Sequence, residues 1–190
     1  MANATSFWGA ADGNDGLGVD CYTAVTTVTA TCNGNGDGNI NLYGEVYRMW
    51  QHLSNTGLAE GAFRGFVSPL NATTPPTLGQ DVPRSKMGNA YWTAARLSQL
   101  FTSSSEVGYT DLPDVWSNYL FFTGINTGYW ISGNILKPEE AWNIDTKMDD
   151  GRPAFGKMRA NINCATGNTS TATYNIGVST VSCPIVGFML

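Results

Sequence analysis

Four cysteines, Cys21, Cys32, Cys164 and Cys183, share a 190-residue chain with a single histidine, His52. They fall two to each half, 11 and 19 positions apart. Neither spacing is the Cys-x-x-Cys of zinc and redox sites, and one imidazole cannot complete a metal–thiolate set, so disulfides are the expectation. Local pairing is the simplest connectivity; the two crossed ones stay open. In the chain-entropy model, loops of this size stabilise a fold by about 3 kcal/mol per bridge. Such bridges persist in the periplasm or outside the cell. With 42% apolar residues the chain can build one core, and residues 1–190 read as a single globular domain.

Charged residues make up only 13%, whereas Asn, Ser and Thr fill 51 positions. The polar surface is therefore mostly neutral and hydrogen-bonding, as suits an extracytoplasmic protein. Ten Lys and Arg against fifteen Asp and Glu leave a net charge of −5, with no basic run. Binding to a phosphate backbone needs clustered cations, which excludes nucleic acid as an expected partner. No run approaches the roughly 18 apolar residues that cross a bilayer, and the opening Met-Ala-Asn-Ala-Thr is not a signal peptide. The polypeptide reads as soluble.

Turn formers dominate the first forty residues, in Gly9 to Gly18 and Asn33 to Asn39, with a Thr/Val-rich insert at Tyr22 to Thr31 that suits a strand. From Gly44 to Gly57 the spacing of Val46, Met49, Trp50 and Leu53 predicts a helix with one buried face, Glu45, Arg48, His52 and Asn55 opposite, and Gly57 as its cap. Leu58 to Val82 reads as an apolar anchor followed by a loop. Gly88 to Phe101 and Val115 to Ile131 supply strands, although Ala94 to Phe101 also suits a helical turn. Lys137-Pro138-Glu139-Glu140 opens a second helix, since Pro fits the first turn and Glu complements the positive end of the dipole. Ala141, Ile144 and Met148 mark its buried stripe and Gly151 its end. Lys157 to Cys164 alternates, with Met158, Ala160, Ile162 and Cys164 inward and Lys157, Arg159, Asn161 and Asn163 outward, as in a half-buried strand. Tyr174 to Val181 and Ile185 to Leu190 add further strands. The expected class is α+β, with an antiparallel sheet in the C-terminal half, short helices and long Gly/Asn-rich loops.

The sharpest site pattern is a calcium-type loop. Asn33, Asn35, Asp37, Gly38, Asn39 and Ile40 repeat the opening of an EF-hand-like loop, and Glu45 stands one place past its bidentate ligand. Ca2+ is the one cofactor the sequence offers. Only one of the alternating ligands is charged, so an Asx-rich turn leading into the helix is the preferred reading. Asp145, Asp149 and Asp150 form a second acidic group; their expected role is structural, bonded to Lys147, Arg152, Lys157 or Arg159. His52 is expected as a surface residue. No Gly-x-Ser-x-Gly, Walker-type loop or His-Glu-x-x-His is present, so no enzyme is expected. Six tryptophans keep sugar stacking in view, with Trp50 and Trp142 assigned to core or partly buried positions. The Asn-x-Ser/Thr sequons at Asn3, Asn71 and Asn168 permit glycosylation in a suitable host.

Three segments together resemble one family. Asn3-Ala-Thr-Ser-Phe-Trp-Gly9 is similar to the start of the globular region in bacterial prepilin-like proteins, without the Pro-Gly-Asp turn that precedes it there. Trp50-Gln-His-Leu53, Gly57-Leu58 and Glu60-Gly61 resemble that family's helix and its exit. Pro138 to Gly151 (PEEAWNIDTKMDDG), followed by Pro153, Gly156, Lys157 and Arg159, is the most specific match. The resemblance runs intermittently from Asn3 to about Ala160, with a family-like ending at Cys183 to Leu190. It implies a type IV pilin or type II secretion pseudopilin-like head domain, lacking the prepilin motif and the long apolar helix that anchors such subunits in the inner membrane. The implied function is structural, in an extracellular or periplasmic filament, with other pilin or pseudopilin subunits as partners and membrane contact only through the missing helix. Without it, a monomer or weak oligomer is expected. A secreted carbohydrate-binding or adhesive module is the alternative.

Overall fold

The structure, a computed structural model, describes residues 3–10, 30–40, 45–65, 76–96, 118–125 and 133–189. It is a mixture of helices and antiparallel sheet, an α+β arrangement. The elements are α1 (Ala4–Trp8), α2 (Glu45–Asn55), β1 (Ala90–Arg96), β2 (Asn118–Gly124), α3 (Pro138–Met148), β3 (Met158–Ala160) and β4 (Ile185–Met189), with a 3-10 turn at Ile162–Cys164. The chain groups into two compact units, residues 1–93 with 126–130, and residues 94–125 with 131–190.

In the first unit, α1 is a five-residue helix where a loop was expected. Asn33 holds it from outside, its Oδ1 accepting from Thr5 N–H at 2.9 Å and from the Thr5 hydroxyl at 3.1 Å. Residues 22–29 of the expected early strand lie outside the described residues; Thr31 forms an isolated parallel bridge with Ala10. The helix predicted from Gly44 to Gly57 is present as α2. At its end, Leu58 N–H bonds Leu53 O and Gly57 N–H bonds Ser54 O, both at 2.9 Å. This is a Schellman motif, which needs the left-handed φ of 74° that Gly57 adopts.

The buried face of α2 departs from the expected one. Val46, Tyr47, Arg48, Gln51 and His52 are buried, whereas Met49, Trp50 and Leu53 are half-buried. The cause is the surface against which the helix packs. Irregular segments carry carbonyls that no ladder satisfies, and long polar side chains supply the donors. Gln51 Nε2 donates to Ala30 O at 2.8 Å, and Arg48 Nη1 donates to Arg64 O at 3.1 Å and Gln51 Oε1 at 2.9 Å. Nearby, Arg64 grips the buried Asp81 through Nε and Nη2, both at 3.0 Å.

The sheet has the order β1-β2-β4-β3. β2 pairs antiparallel with β4 from Tyr119↔Met189 to Thr123↔Ile185, and β3 pairs antiparallel with β4 from Met158↔Phe188 to Ala160↔Val186. Tyr119 and Phe121 are fully buried with rings 6.1 Å apart; burying a side chain of this kind contributes about 2 kcal/mol. Ala94 to Arg96 are strand, not helical turn, and residues 97–101 lie outside the described residues.

Two strand expectations are corrected. Only Met158–Ala160 of the segment Lys157 to Cys164 is strand, and its expected outward residues Arg159 and Asn161 are buried too. The ladder stops because the Asn161 side chain accepts from Asn163 N–H at 3.0 Å and starts the 3-10 turn, the usual competition of Asn with extended pairing. Tyr174 to Val181 is turns with a single bridge, Ala165↔Tyr174; Val178 N–H bonds Asn175 O at 3.0 Å and bends the chain. Cys164 and Cys183 form the expected local disulfide. Cys32 is also disulfide-bonded, and Cys21 lies outside the described residues.

Candidate functional site

Two polar clusters, one in each unit, account for the described site residues. In the first, the loop 33–40 is built from Asx turns. Asn35 Oδ1 accepts from Asp37 N–H at 3.1 Å, Asp37 Oδ1 accepts from Asn39 N–H at 2.8 Å, and Asp37 Oδ2 accepts from Asn35 Nδ2 at 3.0 Å. Glu45, at the start of α2, reaches back so that Oε1 accepts from Asn35 N–H at 3.1 Å. Of the calcium-type set, Asn35, Asp37, Asn39 and Glu45 are therefore brought into one hydrogen-bonded group, while Asn33 is turned away to hold α1. The loop and α2 frame a pocket of about 190 Å³ lined by Cys32, Asn33, Asn39, Glu45, Arg48 and His52 among others. Of the oxygens expected to hold Ca2+, those of Asn35, Asp37 and Glu45 act as acceptors for the loop's own amides.

His52 lines this pocket and is buried, 7% exposed, which corrects its expected place on the surface. Its ring stacks on Trp8 at 5.6 Å, and Nε2 lies 2.9 Å from Thr31 Oγ1 and 3.2 Å from Cys32 O. A carbonyl can only accept, so the Cys32 contact places the ring proton on Nε2. Burial pushes the imidazole pKa down to about 4; the Cys32 carbonyl opposes that shift and the Arg48 charge adds to it. The ring is neutral at pH 7 and works as a spacer and donor.

The second cluster closes the C-terminal end of α3. Asp145 is fully buried. Its Oδ2 accepts from the Tyr174 hydroxyl at 2.9 Å and its Oδ1 from Gly151 N–H at 3.3 Å. Burial pushes its pKa up to about 6 against the lowering effect of those two bonds, and Asp150 and Asp149 add to the rise. Asp149 Oδ2 accepts from the backbone N–H groups of Lys157 and Met158, so it caps the entry to β3. Asp150 Oδ1 accepts from Arg152 N–H at 2.8 Å. The expected partners Arg152 and Lys157 are thus met through their backbone amides rather than their cationic heads. Carboxylate oxygens of the three acids come within 4.8 Å of one another. At Gly156, φ 75°, an added Cβ would run into the Asp149 carboxylate.

Met148, 63% exposed, leaves the buried stripe expected of it, and Asp145 takes its place. The signal was present: Pro138, Ala141 and Asp145 recur at helical spacing, and all three are buried. Tyr174, 29 positions away, could not be read from local pattern. Trp50 is half-buried against Phe63, within the core or partly buried place expected for it, while Trp142, expected likewise, is 38% exposed. No helix among the described residues is long and apolar enough to cross a membrane. No protein-family model, curated protein or solved structure matches this chain.

Proposed function

We propose that this chain is the globular head of a type IV pilin- or type II secretion pseudopilin-like subunit, a structural component of an extracellular or periplasmic filament. The observation that carries the reading is the unit from Pro138 to Ala160. The segment that most resembles the prepilin-like family in sequence is also one in which helix, acidic turn and strand depend on each other: Glu140 Oε2 accepts from Lys137 N–H at 2.8 Å at the start of α3, and Asp149 ties its end to β3. The buried Cys164–Cys183 bridge then fastens the segment after β3 to the start of β4. A head repeated along a filament meets neighbours through its surface. Low charge density limits repulsion between copies, and neutral Asn and Thr side chains bond water or a neighbour without a large desolvation cost.

The test is processing. The complete gene product, expressed with and without a prepilin peptidase, should lose an amino-terminal leader only when the peptidase is present, seen as a mass shift of the membrane-bound subunit. A product without any peptidase-dependent change of mass contradicts the reading. The alternative, a secreted sugar-binding module, rests on Trp142, the exposed tryptophan among the described residues; glycan-array binding lost in Trp142→Ala would favour it.

A further inference from the structure

The chain holds two Asn-Gly pairs, Asn33-Gly34 and Asn35-Gly36, and both lie in the loop beside α2. An asparagine followed by glycine can react with its own backbone, because the glycine nitrogen closes on the side-chain Cγ with no Cβ in the way. The fold treats the two pairs differently. Asn33 Oδ1 accepts from two donors of Thr5, the N–H at 2.9 Å and the hydroxyl at 3.1 Å, so turning its Cγ onto the Gly34 nitrogen breaks both bonds to α1. Asn35 Oδ1 accepts from Asp37 N–H at 3.1 Å, which folds its amide back across the Gly36 peptide that lies between them. Gly36 is exposed, with φ 76°, and among the described residues its N–H makes no hydrogen bond. An open hollow of about 350 Å³, lined by Asn35, Gly36, Asn39 and Glu45 among others, admits water to the pair. The other bond of the Asn35 amide, from Nδ2 to Asp37 Oδ2 at 3.0 Å, is exposed, and water competes for it.

We propose that Asn35 is a self-modification site, at which the chain loses ammonia and gains a carboxylate, and that α1 protects Asn33 from the same reaction. The Gly36 nitrogen gives its proton to hydroxide and bonds to Asn35 Cγ. The Asp37 N–H already on Oδ1 stays in place as that oxygen takes up negative charge, a donor aimed at a developing oxyanion. The Cγ–Nδ2 bond then breaks, and the nitrogen takes a proton from water and leaves as ammonia. Water opens the resulting five-membered imide at one of its two carbonyls, giving aspartate or isoaspartate. The co-reactants are water and hydroxide alone. Each event adds one negative charge to the net −5. The new charge stands where Nδ2 now bonds Asp37, beside the Glu45 carboxylate that accepts from Asn35 N–H at 3.1 Å. The loop exchanges a self-bonded Asx turn for mutually repelling carboxylates.

The test incubates the 190-residue protein in warm, mildly alkaline buffer, folded and, in parallel, unfolded in urea with its disulfides reduced. Fragment-ion mass spectrometry follows positions 33 and 35, where the product is a gain of about 1 Da with isoaspartate among the forms. In the folded protein Asn35 should react about 10-fold faster than Asn33, whose two bonds must first be released; in urea the two rates should agree. Thr5→Val removes the hydroxyl donor and should raise the Asn33 rate about 5-fold while leaving Asn35 as it was; a variant whose α1 fails to form gives the same rise. Gly36→Ala puts a Cβ beside the attacking nitrogen and should slow Asn35 about 10-fold. Equal rates in the folded protein, faster reaction at Asn33, no rise at Asn33 in the Thr5 variant, or an Asn35 that stays intact when folded while the urea sample reacts overturns the proposal.

Discussion

Helices α2 and α3 are each eleven residues long, and each buries polar side chains that a binary pattern would leave in water. They do so with opposite chemistry. α2 buries Arg48, Gln51 and His52 to supply donors to the carbonyls of Ala30, Cys32 and Arg64. α3 buries Asp145 and turns in Asp149 to supply acceptors to amides and to a tyrosine hydroxyl. The ends differ as well: α2 stops on backbone geometry at Gly57, whereas α3 stops on carboxylates. Interior polarity here follows what the neighbouring irregular chain leaves unsatisfied, donor for acceptor and acceptor for donor.

The largest expected effect falls on the α3 side. Gly156→Ala combines a left-handed backbone with a collision against Asp149, and should cost about 4 kcal/mol in urea unfolding. Gly57→Ala, which lacks the collision, should cost about 1 kcal/mol. Equal losses in the two variants would erase the distinction between a carboxylate-built and a backbone-built helix end.

The pH response comes between those two in size and has opposite signs in the two regions. His52 has a folded pKa of about 4, below the ordinary 6.5. The unfolded chain therefore takes a proton that the folded one refuses, and stability falls as pH drops from 6.5 toward 4. Asp145 has a folded pKa of about 6, above the ordinary 3.8. The folded chain binds the proton more tightly, so stability rises as pH drops from 6 toward 3.8. Each contribution amounts to about 3 kcal/mol at its limit, and in the wild-type protein they largely offset each other. Asp145→Asn should expose the loss due to His52 over this range, and His52→Gln should expose the gain due to Asp145, both read from denaturant midpoints between pH 4 and 7. Parallel pH profiles in the two variants would contradict the assignment.

The smallest effect concerns the loop beside α2. With Asn35, Asp37 and Glu45 oxygens bonded within the loop, millimolar calcium should move the melting temperature by less than about 1 °C. A rise of several degrees would show that the loop exchanges its Asx bonds for a cation.

Both long helices, the local Cys164–Cys183 bridge and the strands at Ala90, Asn118 and Ile185 were legible in the sequence, because periodicity, Pro138, the capping glycines and short cysteine spacing act over a few residues. The buried polar faces were not. Arg48 and His52 obey helical periodicity as an outward face, and only the carbonyls of irregular segments some twenty positions away make that face the inner one. Lys157 to Cys164 alternates well enough for a strand, but Asn161 bonds its own neighbour and ends it. Glu45 was placed beside the Asn33 to Asn39 loop by spacing alone; that the oxygens there face inward to amides needed the loop's geometry.

The filament reading is tested most directly on the cell surface. Antibodies raised against residues 1–190 should decorate surface or periplasm-derived filaments along their length by immunogold electron microscopy, with the label and the filaments lost together when the gene is deleted. Filaments that persist unlabelled, with the antigen recovered as a free exported protein, would contradict the assignment.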